Sequence, residues 1–207
     1  EGRIRLSIPA AGLHEAEVFY NPAGELNRDI SVCCLNVFRK GRRLEVCDAL
    51  AATGVRGLRY AKEAGCSVTL NDRNPLAVRL IKRNIAANRL SRLCTASHSG
   101  ANALLSRQGF DVVDLDPFGT PILYVDSAAR SARQGGMLAI TATDCAPLCG
   151  TYPKACFRKY GILPFKADYY AEMGVRILVS SVMLACARHE TAFIPLLSHA
   201  DQHYFRI

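Results

Sequence analysis

The sequence predicts an α/β protein: a doubly wound parallel sheet covered by helices on both faces, with an antiparallel hairpin at one edge. Three observations carry this. Short apolar runs alternate with helical patterns along the chain, which implies parallel strands joined by helical crossovers. The first such run passes through a glycine-containing turn into a helix, as ligand-binding sheets of this kind do. The last two runs are separated only by a short polar turn, too little chain for a crossover, so they are expected to pair as a hairpin.

Each element has its own justification. Residues 25–39 place Leu26, Ile30, Val32, Cys33 and Val37 near helical spacing. Residues 44–50 read as the first buried strand, and 55–64 as the helix after it. Residues 67–71 form the next strand. In 75–88, Asn74 is the expected cap and Pro75 the first helical residue. The apolar positions Leu76, Val78, Leu80, Ile81 and Ile85 leave Arg79, Lys82 and Arg83 toward solvent. Residues 111–116 and 137–143 are strands, with 121–133 helical between them. A helix over 169–189 follows, and then the hairpin, with arms at 191–197 and 203–207. Ligand should bind beyond the carboxyl ends of the strands.

Composition narrows the class. Half of the residues are apolar, enough for a sizeable core. The apolar run 177–187 is too short to span a bilayer, which takes roughly 20 residues, so no membrane span is expected. The start, Glu1-Gly2-Arg3, lacks methionine and any signal-peptide pattern, and Tyr204-Phe205-Arg206-Ile207 reads as a strand cut short. The expectation is a fragment. Of nine cysteines, Cys33, Cys34, Cys47, Cys66, Cys94 and Cys186 lie in apolar stretches and no Cys-x-x-Cys pair exists. That argues against a disulfide framework and against structural zinc, and for a reducing cytoplasm. The net charge of +8 gathers in clusters at Arg39-Lys40, Arg42-Arg43, Arg79/Lys82/Arg83, Arg89/Arg92 and Lys154/Arg158/Lys159. It suits a polyanionic partner such as nucleic acid, or simply a solvated basic surface.

Two places carry chemistry. After the first strand comes Ala51-Ala52-Thr53-Gly54-Val55-Arg56-Gly57, where glycine lets backbone approach a ligand. Two glycines match the dinucleotide fingerprint poorly. Asp72 ends the next strand, where an acid accepts bonds from ribose hydroxyls. NAD and S-adenosylmethionine both carry that ribose, and a turn-capping role for Asp72 stays open. Asp48 either orients the glycine turn, faces a cofactor's amino-acid part, or is a buried acid bonded to backbone. Arg28 offers a guanidinium that fits a carboxylate, unless it is a surface arginine. The second place is Asp116-Pro117-Phe118-Gly119 at the end of a strand bearing three acids. Proline aims the preceding residue. A carboxylate there can hold an exocyclic amine and take its proton as a methyl group arrives, and Phe118 can stack on an extruded base. A helix-capping Asp116 and a core-filling Phe118 remain the alternative.

The antiparallel edge hairpin resembles class I S-adenosylmethionine-dependent methyltransferases, a Rossmann-like fold. The ordered motifs resemble one family more closely. Val18-Phe19-Tyr20-Asn21-Pro22, Asn27-Arg28-Asp29, Ala52-Thr53-Gly54-Val55-Arg56-Gly57, Asn71-Asp72, Asp116-Pro117-Phe118-Gly119-Thr120-Pro121 and residues 141–150 are similar to the archaeal and eukaryotic tRNA (guanine-N2)-dimethyltransferases that act on guanine 26. Arg158-Lys159-Tyr160 and His203-Tyr204-Phe205-Arg206 fit as well. The resemblance implies S-adenosyl-L-methionine bound by Arg28, Asp48, Gly54, Arg56, Asp72, Gly100 and Ala101. It implies Asp116 as the acid–base residue, and Phe19 and Phe118 sandwiching the guanine. It also implies residues 1–198 as the cofactor-binding catalytic domain, with 199–207 as its last strand or the start of a truncated C-terminal domain. The partner implied is tRNA, with no metal and no membrane in this part, a monomeric state, and a cytoplasmic location (nuclear in a eukaryote). One departure stands out. In His98-Ser99-Gly100-Ala101-Asn102, Gly100 occupies the place of the family's adenine-reading acid. The loss is worth about 1.5–3 kcal/mol for a charge-assisted bond, unless Asn102, Ser99 or backbone replaces it. Rival readings are a nicotinamide oxidoreductase, which lacks its third glycine, a DNA amine methyltransferase, whose turn carries a second proline, and a non-catalytic RNA-binding module.

Overall fold

The computed structural model describes residues 1–8, 18–201 and 203–207. A short 3-10 turn at Pro22–Gly24 leads into α1 (Glu25–Phe38). The elements then run β1 (Glu45–Asp48), α2 (Val55–Ala64), β2 (Ser67–Asp72), α3 (Pro75–Ala87), β3 (Cys94–His98), α4 (Ala101–Leu105), β4 (Phe110–Leu115) and α5 (Ile122–Ser131). They continue through β5 (Ala132–Ala142), α6 (Cys145–Leu148), α7 (Pro153–Tyr160), α8 (Tyr170–Ala187), β6 (His199–Asp201) and β7 (Tyr204–Arg206). The seven strands lie in the order β3-β2-β1-β4-β5-β7-β6. The first five pair in parallel, and β7 runs antiparallel to both β5 and β6. This is the doubly wound sheet with a reversed edge that the patterning predicts.

Alternation along the strands sorts side chains onto two cores. Val46 and Val112 pack with Leu35, Leu58 and Ile81 of α1, α2 and α3. Cys47 and Val113 face the other way and pack with Leu105, Val125 and Leu178 of α4, α5 and α8. The same alternation puts Asp114 and Asp116 on the α1–α3 side with Val112, and Asp48 there with Val46. On α3 the Asn74 side chain caps Leu76 N–H, and Arg79, Lys82 and Arg83 are exposed.

Four expectations need correction. Residues 191–197 form no strand, and the first hairpin arm is His199–Asp201. Pro195 has no amide to donate to a ladder, and Ile194 and Leu196 lie exposed. The helix expected over 121–133 gives way at Ala132 to β5, which opens well before Met137. Cys33 is exposed rather than packed, because it falls on the outer side of α1. The apolar run at 177–187 belongs to an 18-residue helix long and apolar enough to cross a membrane, with Ile177, Leu178 and Val182 buried in the core. The patterns also gave no hint of the short α6, with Pro147 inside it, or of α7, which Gly150 and Pro153 set apart.

Candidate functional site

A cavity of about 400 Å3 opens beyond the carboxyl ends of β1, β2 and β4, within the roughly 300–1,000 Å3 usual for small-molecule sites. Its wall brings together Phe19, Arg28, Asp48, Arg56, Asp72, Asp116 and Phe118, which are far apart in the chain. Gly54, Gly100 and Ala101 are not on that wall. A second, more open recess of about 530 Å3 lies along α8, lined by Ile162, Phe165, Tyr169 and Met173. It contains none of the predicted site residues.

One side of the cavity is built from loops held by backbone bonds. Gly54 opens α2 with φ +81°, a conformation that glycine adopts without strain. At Gly57 an added Cβ would stand 2.9 Å from Leu70 and 3.1 Å from Asp48 Oδ2, so the α2 turn lies hard against β1 and β2. Gly57 N–H donates to Asp48 Oδ2 at 2.9 Å; Asp48 orients the turn. Asp72 Oδ2 accepts from Ala52 N–H at 2.9 Å and Oδ1 from Asn74 N–H at 2.8 Å. It therefore performs the turn role while still facing the cavity. Each oxygen retains a lone pair for a hydroxyl donor. Thr53 Oγ1 and Asn27 Oδ1 are buried at the same wall without a hydrogen-bond partner among the described residues. Such unfilled capacity fits a polar ligand.

Arg28 is buried, and its Nε donates to Glu1 Oε1 at 2.6 Å. Its Nη2 donates to Glu1 Oε2 and to Asn21 O. Burial would raise the Glu1 carboxyl, but the bonds to Arg28, Tyr20 and Arg59 outweigh it and hold it below the ordinary range. Nη1 is the edge of Arg28 that Glu1 does not take. At the start of α4, a Cβ on Gly100 would meet nothing. Ala101 is buried in the core, and Asn102 Nδ2 donates to Leu123 O at 3.0 Å.

The other side is held by charges. Asp116 Oδ2 accepts from Arg56 Nη2 at 2.5 Å, and the Asp116 side chain keeps 33% of its exposure. It does not cap α5; the side chain that reaches that N-terminus is Thr120, whose Oγ1 accepts from Ile122 N–H at 3.4 Å. Behind it Asp114, fully buried, accepts from Tyr60 Oη at 2.5 Å and from both terminal nitrogens of Arg206 at 2.6 and 3.2 Å. Burial opposes ionisation of Asp114, but Arg206 and Arg56 overcome it and lower its pKa. Asp48 pairs with Asp114 in the sheet register. Burial and the Asp114 charge push the Asp48 carboxyl up to about 7, against the partial relief of Arg56 and Gly57 N–H.

Phe118 is 73% exposed, not a core residue. Its turn is tied down by Gly119 N–H donating to Thr143 Oγ1 at 2.6 Å and Thr143 N–H to Gly119 O at 3.0 Å. Thr120 Oγ1 donates to Tyr160 Oη, which donates to Asp144. Phe118 meets Phe19 edge to face, with ring centroids 4.5 Å apart at 71°. A sandwiched base needs roughly 7 Å between ring planes, two contacts of about 3.5 Å, so the rings must part to admit one. Sequence reasoning missed Glu1, Tyr60, Ser31 and Arg206 as site residues. In the sequence, Asp114 is marked only as one of three acids on a buried strand. Among the described residues no group of three His, Cys, Asp or Glu side chains is placed to hold a metal ion.

A family model described as N2,N2-dimethylguanosine tRNA methyltransferase matches residues 3–207. Relatives named tRNA (guanine(26)-N(2))-dimethyltransferase include those of Methanosarcina acetivorans, 45% identical, and Methanothermobacter thermautotrophicus, 44% identical. Both match all of this chain, and the chain spans 56% of each of them. The solved Trm1 from Pyrococcus horikoshii, in complex with S-adenosyl-L-methionine, superposes with a TM-score of 0.93 at 40% identity, over all of this chain and 58% of that one. Trm5b from Pyrococcus abyssi, at 14% identity and a TM-score of 0.68, shares the fold alone.

Proposed function

The chain belongs to the N2,N2-dimethylguanosine tRNA methyltransferase family, and from that premise we propose that the whole protein methylates the exocyclic N2 of a guanine in tRNA. The methyl donor is S-adenosyl-L-methionine, and the products are N2-methyl- and N2,N2-dimethylguanine. The guanine is the one at position 26, which the relatives' names specify. The protein acts as a cytoplasmic monomer with tRNA as its partner.

The observation that carries this reading is Asp116. Its carboxylate stands at the end of β4 on the cavity wall, Oδ2 held by Arg56 and Oδ1 without a partner among the described residues. S-adenosyl-L-methionine, when bound, would supply an electrophilic methyl group from its sulfonium, whose sulfur keeps the bonding pair and leaves as the thioether S-adenosyl-L-homocysteine. Asp72 and the Ala52–Thr53 turn would hold its ribose, and the remaining edge of Arg28 its carboxylate. Asp48 shapes the floor beneath. Phe19 and Phe118 part and hold the guanine plane. Asp116 Oδ1 accepts an N2–H of the guanine, orients the amine, and receives the proton released when nitrogen gains its new bond to carbon. Pro117 has no amide N–H to compete for that oxygen.

In the full-length protein, Asp116→Asn is expected to lower methyl transfer at least tenfold while leaving cofactor affinity by calorimetry nearly unchanged. Normal turnover by that variant would overturn the assignment. Absence of S-adenosyl-L-methionine binding to the wild-type protein would favour a non-catalytic RNA-binding module, the alternative that Gly100 motivates.

A further inference from the structure

Behind Asp116 lies a set of buried polar side chains to which the proposed transfer assigns no contact with substrate. Arg56 is fixed on three edges. Nη2 donates to Asp116 Oδ2 at 2.5 Å, Nη1 to Ser31 Oγ at 3.1 Å, and Nε faces Asp114 Oδ1 at 3.7 Å. A guanidinium is a rigid planar fork, so setting two edges sets the third. Asp114 is in turn fixed by Tyr60 and by the bidentate Arg206, whose Nη1 also donates to Thr141 Oγ1 at 2.7 Å. Five elements, α1, α2, β4, β5 and β7, thus converge on one partly exposed carboxylate.

We infer that Asp114 and Arg206 are positioning residues for methyl transfer: they clamp Arg56 from behind, so that it holds Asp116 by Oδ2 and leaves Oδ1 facing the cavity. The inference rests on the function proposed for Asp116. Three features favour positioning over simple cohesion. Arg56 is the only hydrogen-bond partner of Asp116 among the described residues, so whatever fixes Arg56 fixes Asp116. Two arginines face two aspartates in the cluster, so the Arg56 charge is matched on both sides and the guanidinium has no reason to shift toward either. Buried ion clusters commonly stabilise a fold no better than apolar side chains of similar volume, so cohesion alone gives little reason for this one. Misplacing a reacting group by about 1 Å can slow a reaction on the order of a hundredfold.

The test uses the full-length protein. Asp114→Asn keeps the side-chain shape and removes the charge. We expect the rate at saturating tRNA and S-adenosyl-L-methionine, per folded molecule, to fall at least tenfold. The KM for tRNA and the Kd for S-adenosyl-L-methionine should change less than threefold. Arg206→Lys, which keeps a cation on Asp114, should retain several-fold more of that saturated rate than Arg206→Met. A saturated rate within threefold of wild type, or a loss carried by Kd and KM instead, would overturn the inference and leave a structural cluster. Where Asp114→Asn does not fold, Tyr60→Phe removes one bond to Asp114 at nearly constant volume. It should lower the saturated rate at least threefold with cofactor affinity unchanged, and an unchanged rate counts against the clamp. If Asp116→Asn itself turns over normally, the proposed function has failed. If Asp116→Asn is impaired and Asp114→Asn is not, only the positioning inference has failed.

Discussion

On the Asp72 side of the cavity, carboxylate oxygens are occupied by backbone N–H groups 2 and 20 residues away. On the Asp116 side they are occupied by guanidinium groups 60 and 92 residues away. The first arrangement forms as soon as β2 meets the β1 loop, and it tolerates solvent because dipoles, not ions, are being matched. The second exists only when the whole sheet has closed, and each buried ion in it depends on the others. One half of the pocket is therefore local and forgiving, the other long-range and brittle.

Substitutions can break that contrast. Arg206→Met removes one partner of a fully buried carboxylate. It should destabilise the fold by about 3–5 kcal/mol, read from the shift in urea midpoint. Asp72→Ala leaves two backbone donors to find water, at a cost of about 1–3 kcal/mol. It should also weaken S-adenosyl-L-methionine binding measurably by calorimetry. A larger loss of stability for Asp72→Ala than for Arg206→Met would reverse the proposed ranking of the two sides.

A third test is one of pH. The folded value of Asp48, about 7, lies above its ordinary 3.8, so the folded protein keeps a proton that the unfolded chain has already released. That contribution to stability is complete below about pH 4 and is lost as pH rises through about 7. Asp114 has the opposite sign: its pKa is lowered, and its contribution is present above the ordinary value and lost on acidification through the folded one. Asp48→Asn should flatten the change in melting temperature between about pH 5 and 8. An unaltered profile would show that Asp48 is ionised throughout.

The same contrast decides what could be read from the sequence. The α/β order, the glycine turn, the Asn74 cap and Asp72 at a strand end all rest on patterns within some 20 residues, and each is in its expected place. Phe19 and Phe118 lie 99 positions apart in sequence, yet their motifs named them and the rings do meet. Arg206 carried no signal for its partner, because a strand that reverses at the edge can be recognised without knowing what its arginine will touch. The residue type of Arg28 suits a ligand carboxylate, but the carboxylate of Glu1 engages two of its nitrogens. Nothing local marks that pairing. The hairpin arm lies at 199–201 and not in the more apolar 191–197, since hydrophobicity without an available neighbour does not make a strand.

The reversed strand β7 has a consequence in time as well as in space. Residues 44–90, which carry the glycine turn and Asp72, are synthesised well before Asp114, and Arg206 follows Asp114 by 92 residues. At about 5–20 residues per second, the ribosome delivers that partner roughly 5–18 s later. During this interval a nascent chain already has the material for its backbone-lined half, while Asp114 must stay hydrated or protonated. Closure of the sheet around the reaction half thus waits for β7 to emerge.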